Sequence, residues 1–341
     1  MRRWFSRPFG SALIVSVLAL SACRSSELVE DLGLPVAPEG FFYKGVNFTA
    51  EGPHPYPSAR AAETLEKLPA YGVNAIALVP YGATALGSSQ LRFPLRWERD
   101  EGVIYMAKVA RSLGLRVMLK PQVWVRGGYP GDLEFDNAEA REEWFGRYRE
   151  FVEHYAKLAT VIQADVFCVG VEFAKLSKFS DEWRSFIALA RTHYDGPLTY
   201  AANFGEEFES VTFWDGLDYI GLDNYYPLAD DLSTDVAVGK IEAVYREYGL
   251  PVLFTEAGFS TYELAYLKPW EDRPGGELSP EAQARYYQAV FGGFYDKPWL
   301  HGIFWWKVGS ADTGGPTDGS HQPWGKPAMD VVRRWYQGDA R

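Results

Sequence analysis

Two glutamates in this chain stand where apolar runs stop. One closes Gly170-Val171-Glu172-Phe173; the other lies in Phe254-Thr255-Glu256-Ala257-Gly258. A carboxylate at the end of a core-forming run is carried on a rigid element and presented at its rim. Two of them facing one pocket suit the cleavage of an acetal through an oxocarbenium-like state. One carboxyl protonates the leaving oxygen while the other stabilises or captures the anomeric carbon. At a separation of about 5–5.5 Å the second acts as nucleophile and configuration is retained. The pair must then differ in protonation at one pH. Burial and mutual repulsion raise one, and hydrogen bonds keep the other ionised. Taken singly, either glutamate reads equally well as a structural ion-pair partner or a metal ligand.

The elements that would position them are short β-type runs alternating with helical patterns, the mark of a parallel α/β fold. Eight runs are visible: Tyr43–Phe48, Val73–Val79, Leu115–Gln122, Val166–Glu172, Pro197–Ala201, Leu217–Asn224, Pro251–Glu256 and Gly302–Lys307. Several are apolar without alternation, as strands covered on both faces are. Between them, Trp144, Tyr148, Phe151, Tyr155, Leu158 and Ile162 recur at helical spacing, Asp100 to Leu113 forms a helix closed by Gly114, and Ser279-Pro280 opens another. Eight such units predict a single-domain α/β fold, a (β/α)8 TIM barrel over residues 41–338, whose catalytic groups belong at the C-terminal strand ends. The glutamates then fall on the fourth and seventh strands. Lys120 and Gln122 end the third, with Trp124 just beyond; Asn203 ends the fifth and Asp223 the sixth. Each is a candidate for sugar contact. Lys120 equally suits pairing with a buried acid inside the barrel, and Asn203 and Asp223 equally suit loop capping. A doubly wound nucleotide-binding sheet is rejected, because Asn47-Phe48-Thr49-Ala50-Glu51-Gly52-Pro53 follows the first run where a glycine-rich phosphate loop would stand.

Composition narrows the rest. The chain has 341 residues, 47% hydrophobic and 16% aromatic, with net charge −11. That is ample material for a large core, and the negative balance argues against a nucleic-acid partner. His-Glu-x-x-His and Gly-x-Ser-x-Gly motifs do not occur, and the five histidines lack metal-ligand spacing, so neither metal nor cofactor is expected. Cys168 lies in an apolar run and reads as a buried small hydrophobe. At the N-terminus, Arg2, Arg3 and Arg7 precede an apolar stretch, Ser11 to Leu20, then Leu20-Ser21-Ala22-Cys23. Residues 1–22 read as a signal peptide of the bacterial lipoprotein type, Cys23 as the lipidated first residue of the mature chain, and 23–40 as a tether. The expected location is the bacterial cell envelope. Arg24 favours the outer membrane, since retention signals usually carry Asp there.

The chain resembles clan A of the glycoside hydrolases, which carry acid/base and nucleophile glutamates on strands four and seven. More closely it is similar to glycoside hydrolase family 113, whose best-known activity is endo-β-1,4-mannanase. The resemblance spans roughly residues 42 to 337. It is carried by Ala77-Leu78-Val79-Pro80, Gly114-Leu115-Arg116-Val117-Met118-Leu119-Lys120-Pro121, Phe167-Cys168-Val169-Gly170-Val171-Glu172-Phe173 and Leu198-Thr199-Tyr200-Ala201-Ala202-Asn203, and continues in Leu217-Asp218-Tyr219-Ile220-Gly221, Leu253-Phe254-Thr255-Glu256 and Gly325-Lys326-Pro327-Ala328. It implies that Glu172 is the acid/base and Glu256 the nucleophile, that Tyr225 hydrogen-bonds the nucleophile, and that Trp306 floors the sugar site. Strand alternation then turns Trp305 toward the helices, and a register slip of one residue would exchange the two. Val171 departs from the pattern: most clan A members have Asn there, on the sugar 2-hydroxyl. Another residue then supplies that contact, or the substrate differs at C2. The expectation is a monomeric, lipid-anchored retaining hydrolase of β-linked poly- or oligosaccharides, mannan among them. A transglycosylase would use the same two carboxylates, and a carbohydrate-binding lipoprotein on a barrel without catalysis is the competing class.

Overall fold

A computed structural model describes residues 40–339; the expectations for the signal peptide, Cys23 and the tether up to residue 39 lie outside the described residues. Eight parallel strands close a barrel: β1 (Tyr43–Thr49), β2 (Ala75–Leu78), β4 (Arg116–Leu119), β6 (Val166–Val171), β7 (Leu198–Asn203), β8 (Tyr219–Asn224), β9 (Val252–Ala257) and β10 (Leu300–Gly309), with β10 returning to pair with β1. The intervening β3 (Tyr81–Ala85) and β5 (Gln122–Arg126) form a separate two-stranded parallel ribbon. The helices are α1 (Ala59–Glu66), α2 (Asp100–Ser112), α3 (Ala138–Val161), α4 (Ser180–Arg191), α5 (Glu206–Ser210), α6 (Asp235–Tyr248), α7 (Pro280–Phe294) and α8 (Pro327–Gln337). The barrel is the (β/α)8 fold expected from the alternation.

Local chemistry sets these boundaries. Ser279 caps α7 by accepting the Ala282 N–H, ahead of Pro280 at the first helical position. Asn137 caps α3 in the same way through Ala140. Gly114 adopts φ +77 after α2, the left-handed turn that glycine takes without strain. Along α3, Trp144, Tyr148, Phe151, Tyr155 and Leu158 are all buried, and Trp144, Tyr148 and Phe151 stack in succession. This stripe packs on Phe173, just past β6, and on Trp183 of α4. Inside the barrel, Tyr43, Met118, Val166, Leu253 and Phe304 fill the N-terminal end. Gly302 makes room there, since a Cβ on it would lie 2.6 Å from that of Tyr43.

One expected strand is divided. The run Leu115–Gln122 reads as a single strand, but the strand stops at Leu119 and Gln122 begins β5. Pro121 and, on the neighbouring chain segment, Pro80 have no N–H to give to the ladder. The sheet bends at both prolines together. Hydrogen bonds from Lys120 N to Leu78 O and from Gln122 N to Pro80 O, each 2.9 Å, carry the pairing across the bend. Lys120 and Gln122 thus keep the same facing, two residues apart, toward the C-terminal end of the barrel.

Candidate active site

At the C-terminal end of the strands the βα loops surround a cleft of about 570 Å³, and both Glu172 and Glu256 line it. Glu256 sits within β9. Its Oε1 accepts from Gln122 Nε2 at 2.7 Å and from Lys120 Nζ, and its Oε2 accepts from Tyr225 Oη at 2.7 Å. Three donors thus converge on this one carboxylate, the arrangement that stabilises an anion and fixes its direction.

Glu172 has a different environment. It follows β6, with its N–H bonded to Ala201 O at 2.8 Å and its backbone at φ +57. Non-glycine residues adopt that left-handed region only when their surroundings enforce it. Burial, then the charges of Asp223 and Glu256, push its carboxyl well above the ordinary carboxylate range, against a smaller opposing pull from Lys120. The two glutamates therefore share a cleft in contrasting surroundings: one is fed by donors, the other is desolvated beside negative charge.

Beneath Glu256 lies a buried charge cluster. The Lys120 side chain is 0% exposed and stands 3.5 Å from Asp223 Oδ1. Burial works against its charge, but Asp223 and Glu256 outweigh that and hold the ammonium above its usual value. Asp223, which also accepts from Thr255 Oγ1 at 2.7 Å, is pushed up to about 8 by burial and the Glu256 charge. This placement corrects the expectation for both residues. They do not line the cleft; they form the layer under it, where the inward-facing side chains of β8 and the β4 end meet. Of the two readings open for Lys120, the barrel pairs it with buried acids.

The other expected residues divide. Gln122, Asn203, Tyr225 and Trp306 line the cleft. Trp305 faces the helices, stacked on Tyr287 at 4.0 Å. Trp124 is not brought to the cleft: it is 55% exposed on the β3–β5 ribbon, because the bend at Pro121 turns alternate residues of β5 away from the barrel. Val171 is buried against Cys168 and Ala201, away from the cleft.

Several cleft residues come from loops that carried no distinctive spacing. Phe204 and Trp270 face each other with ring centroids 5.1 Å apart, and both line the cleft beside Tyr129 and His321. His321 donates Nε2–H to Pro269 O at 2.7 Å and packs edge-on against Tyr225, which ties the loop after β9 to the tyrosine that holds Glu256. Phe204 and Trp270 carry no signal in the sequence beyond being aromatic.

The sequence profile of glycoside hydrolase family 113 matches residues 47–313. Among solved structures, the family 113 β-mannanase of Alicyclobacillus acidocaldarius, in complex with ManMIm, is 31% identical with a TM-score of 0.81, covering 91% of this chain and 100% of its own. A β-1,4-mannanase of the same family is 29% identical with a TM-score of 0.82, over 88% of this chain and 100% of its own. The Faecalibacterium prausnitzii β-glucuronidase shares the fold, at 16% identity and a TM-score of 0.62, over 87% of this chain and 49% of its own. No curated protein sequence matches. With the family profile spanning most of the barrel and a solved member aligned over nearly all of the described chain, this protein is a glycoside hydrolase and belongs to glycoside hydrolase family 113.

Proposed function

We propose that the protein is a retaining hydrolase of β-1,4-linked mannan or manno-oligosaccharides, with Glu256 as nucleophile and Glu172 as acid/base. The observation that carries this reading is the contrast between two carboxylates in one cleft, three donors on Glu256 against a raised and desolvated Glu172. The substrate class is supported by the solved family members, which are β-mannanases.

In the first step a Glu256 oxygen attacks the anomeric carbon, the bond to the leaving oxygen breaks, and that oxygen takes the Glu172 proton. Glu172, now a carboxylate, then removes a proton from water. The water oxygen bonds to the anomeric carbon, the ester to Glu256 breaks, and both carboxyls return to their starting states. Tyr225, Gln122 and Lys120 hold Glu256 in line, and their hydrogen bonds strengthen again as its charge reappears in the second step. Trp306 offers an aromatic plate to the apolar C–H face of the sugar. Asn203 and Gln122 supply polar contacts beside the reacting centre.

The test is a panel of mannan, glucomannan, xylan and cellulose, with products read by chromatography and anomeric configuration by proton NMR during early turnover. Mannan cleavage with retention, abolished in a folded Glu256→Ala variant, is the expected result. Binding without cleavage of any glycan, or inverted product, would overturn it. The same proposal places the lipid on Cys23 and the protein at the cell envelope. Labelled fatty acid incorporated by the wild type and not by Cys23→Ala would support that part, and equal labelling would reject it.

A further inference from the structure

A second buried carboxylate stands behind the acid/base, and the reaction above makes no use of it. Glu207, on α5, is 4% exposed. Its Oε1 accepts from Tyr200 Oη at 2.5 Å and its Oε2 from the Asn203 backbone N–H at 2.8 Å. Tyr200 is fully buried on β7, packed against Trp183 and Phe213. Its hydroxyl oxygen accepts the backbone N–H of Phe173 at 2.9 Å, and that peptide directly follows Glu172.

The direction of these bonds is forced. A backbone N–H only donates, so the Tyr200 oxygen meets Phe173 with a lone pair. Its single proton must then find another acceptor, and Glu207 is that acceptor. Remove it and the hydroxyl loses the partner that orients it. The chain Glu207–Tyr200–Phe173 N–H ends at the left-handed Glu172 backbone, whose own N–H is held by Ala201 on the same strand. Both peptide N–H groups bordering this turn are thus fixed by β7, one of them through Glu207.

We propose that Glu207 is a positioning residue for the acid/base: through Tyr200 it holds the Phe173 peptide, and with it the turn that aims the Glu172 carboxyl at the leaving oxygen. The inference rests on the reading of Glu172 as acid/base. Burial lifts the Glu207 carboxyl to about 7, and whether protonated or ionised it retains an oxygen that accepts from Tyr200.

Proton donation matters most when the leaving group is poor, which gives a readout that general loosening of the fold would not produce. The variants are Tyr200→Phe and Glu207→Met, which removes the acceptor at similar volume, with Glu172→Gln as reference, each assayed on phenyl and 2,4-dinitrophenyl β-mannobiosides. For both positioning variants the expected result is a fall of about 10- to 100-fold in kcat/KM on the phenyl substrate with little change on the dinitrophenyl one. On the latter, kcat and KM should fall together, and added azide should restore part of kcat by attacking the accumulated glycosyl-enzyme. Tyr200→Phe removes a single oxygen and keeps the ring packing, so it decides the matter if Glu207→Met does not fold. Equal losses on both substrates, while Glu172→Gln shows the selective loss, would overturn the positioning role alone. Absence of selective loss in Glu172→Gln would overturn the acid/base reading and this inference with it.

Discussion

Replacing Lys120 by Met keeps most of the side-chain volume and deletes one buried positive charge. In the wild type that charge touches Glu256 Oε1 and stands 3.5 Å from Asp223 Oδ1, with no exposure to solvent. Without it, two carboxylates face one another across a dry layer. A unit charge about 4 Å away is worth about 4 kcal/mol at an effective dielectric constant of about 20, which corresponds to about 3 pH units. Lys120 pulls down both Asp223 and Glu172, so its removal raises both. For Asp223 the 3.5 Å contact sets an upward move of as much as about 3 units. Glu172, the proposed acid, moves in the same direction, so the alkaline limb of the kcat/KM profile shifts upward. Loss of the donor on Glu256 lowers kcat/KM at every pH, and activity at pH 5 should therefore drop more than activity at pH 8. Breaking a buried pair also destabilises by about 3–5 kcal/mol, read as a lowered midpoint of thermal unfolding. Adding Asp223→Asn removes one of the two stranded carboxylates, so the double variant should recover part of that midpoint. The assay is kcat/KM on an aryl β-mannobioside between pH 4 and 9, with unfolding followed by circular dichroism. An alkaline limb that moves down, or stays within about half a unit of the wild type, in a folded Lys120→Met protein, would refute the electrostatic role assigned to the cluster.

Tyr225→Phe removes the 2.7 Å donor on Glu256 Oε2 while keeping the ring against His321; a hydrogen bond to a charged group is worth about 1.5–3 kcal/mol, so kcat/KM should fall by about 10- to 150-fold, and an unchanged value would remove Tyr225 from the nucleophile's support. Glu98 is a 3% exposed carboxyl that burial pushes up to about 7. The stability it contributes is full below the unfolded value near 4.5 and is lost as pH rises through 7, amounting to about 3 kcal/mol against folding at pH 8. Glu98→Gln should therefore raise the unfolding midpoint at pH 8 and have little effect at pH 4.5, and an equal change at both would show that the carboxyl does not titrate between them.

What the sequence made legible was whatever one strand decides alone. Glu172 and Glu256 stand out because each follows an apolar run, and the barrel was legible because eight such runs alternate with helical stripes. What escaped depends on two segments acting together. Pro121 is plain to read, but that it bends a sheet rather than ending it requires Pro80 beside it. Lys120 has the inward parity of a cleft residue, yet parity says nothing of depth, and it is Asp223 on another strand that draws its ammonium under the floor. Glu207 sits in Glu206-Glu207-Phe208-Glu209, a pattern that reads as a solvated acidic turn. Gly205, at φ +81, begins a helix of five residues that returns this one acid to β7, and only the fold reveals Tyr200 waiting there.

The Val171 departure is resolved by the same kind of argument. A polar side chain at that position would be expected to reach a sugar hydroxyl, yet Val171 packs into a small apolar cluster with Cys168 and Ala201. The valine therefore fits its surroundings, and the polar contact beside the anomeric centre has to come from another strand. Gln122 meets the geometric requirement: it lines the cleft, its Nε2 is committed to Glu256 Oε1, and its carbonyl oxygen remains as an acceptor close to Glu256. The bend at Pro121 puts it there. The feature that divides the third strand in two also gives the cleft an amide on the side next to β6.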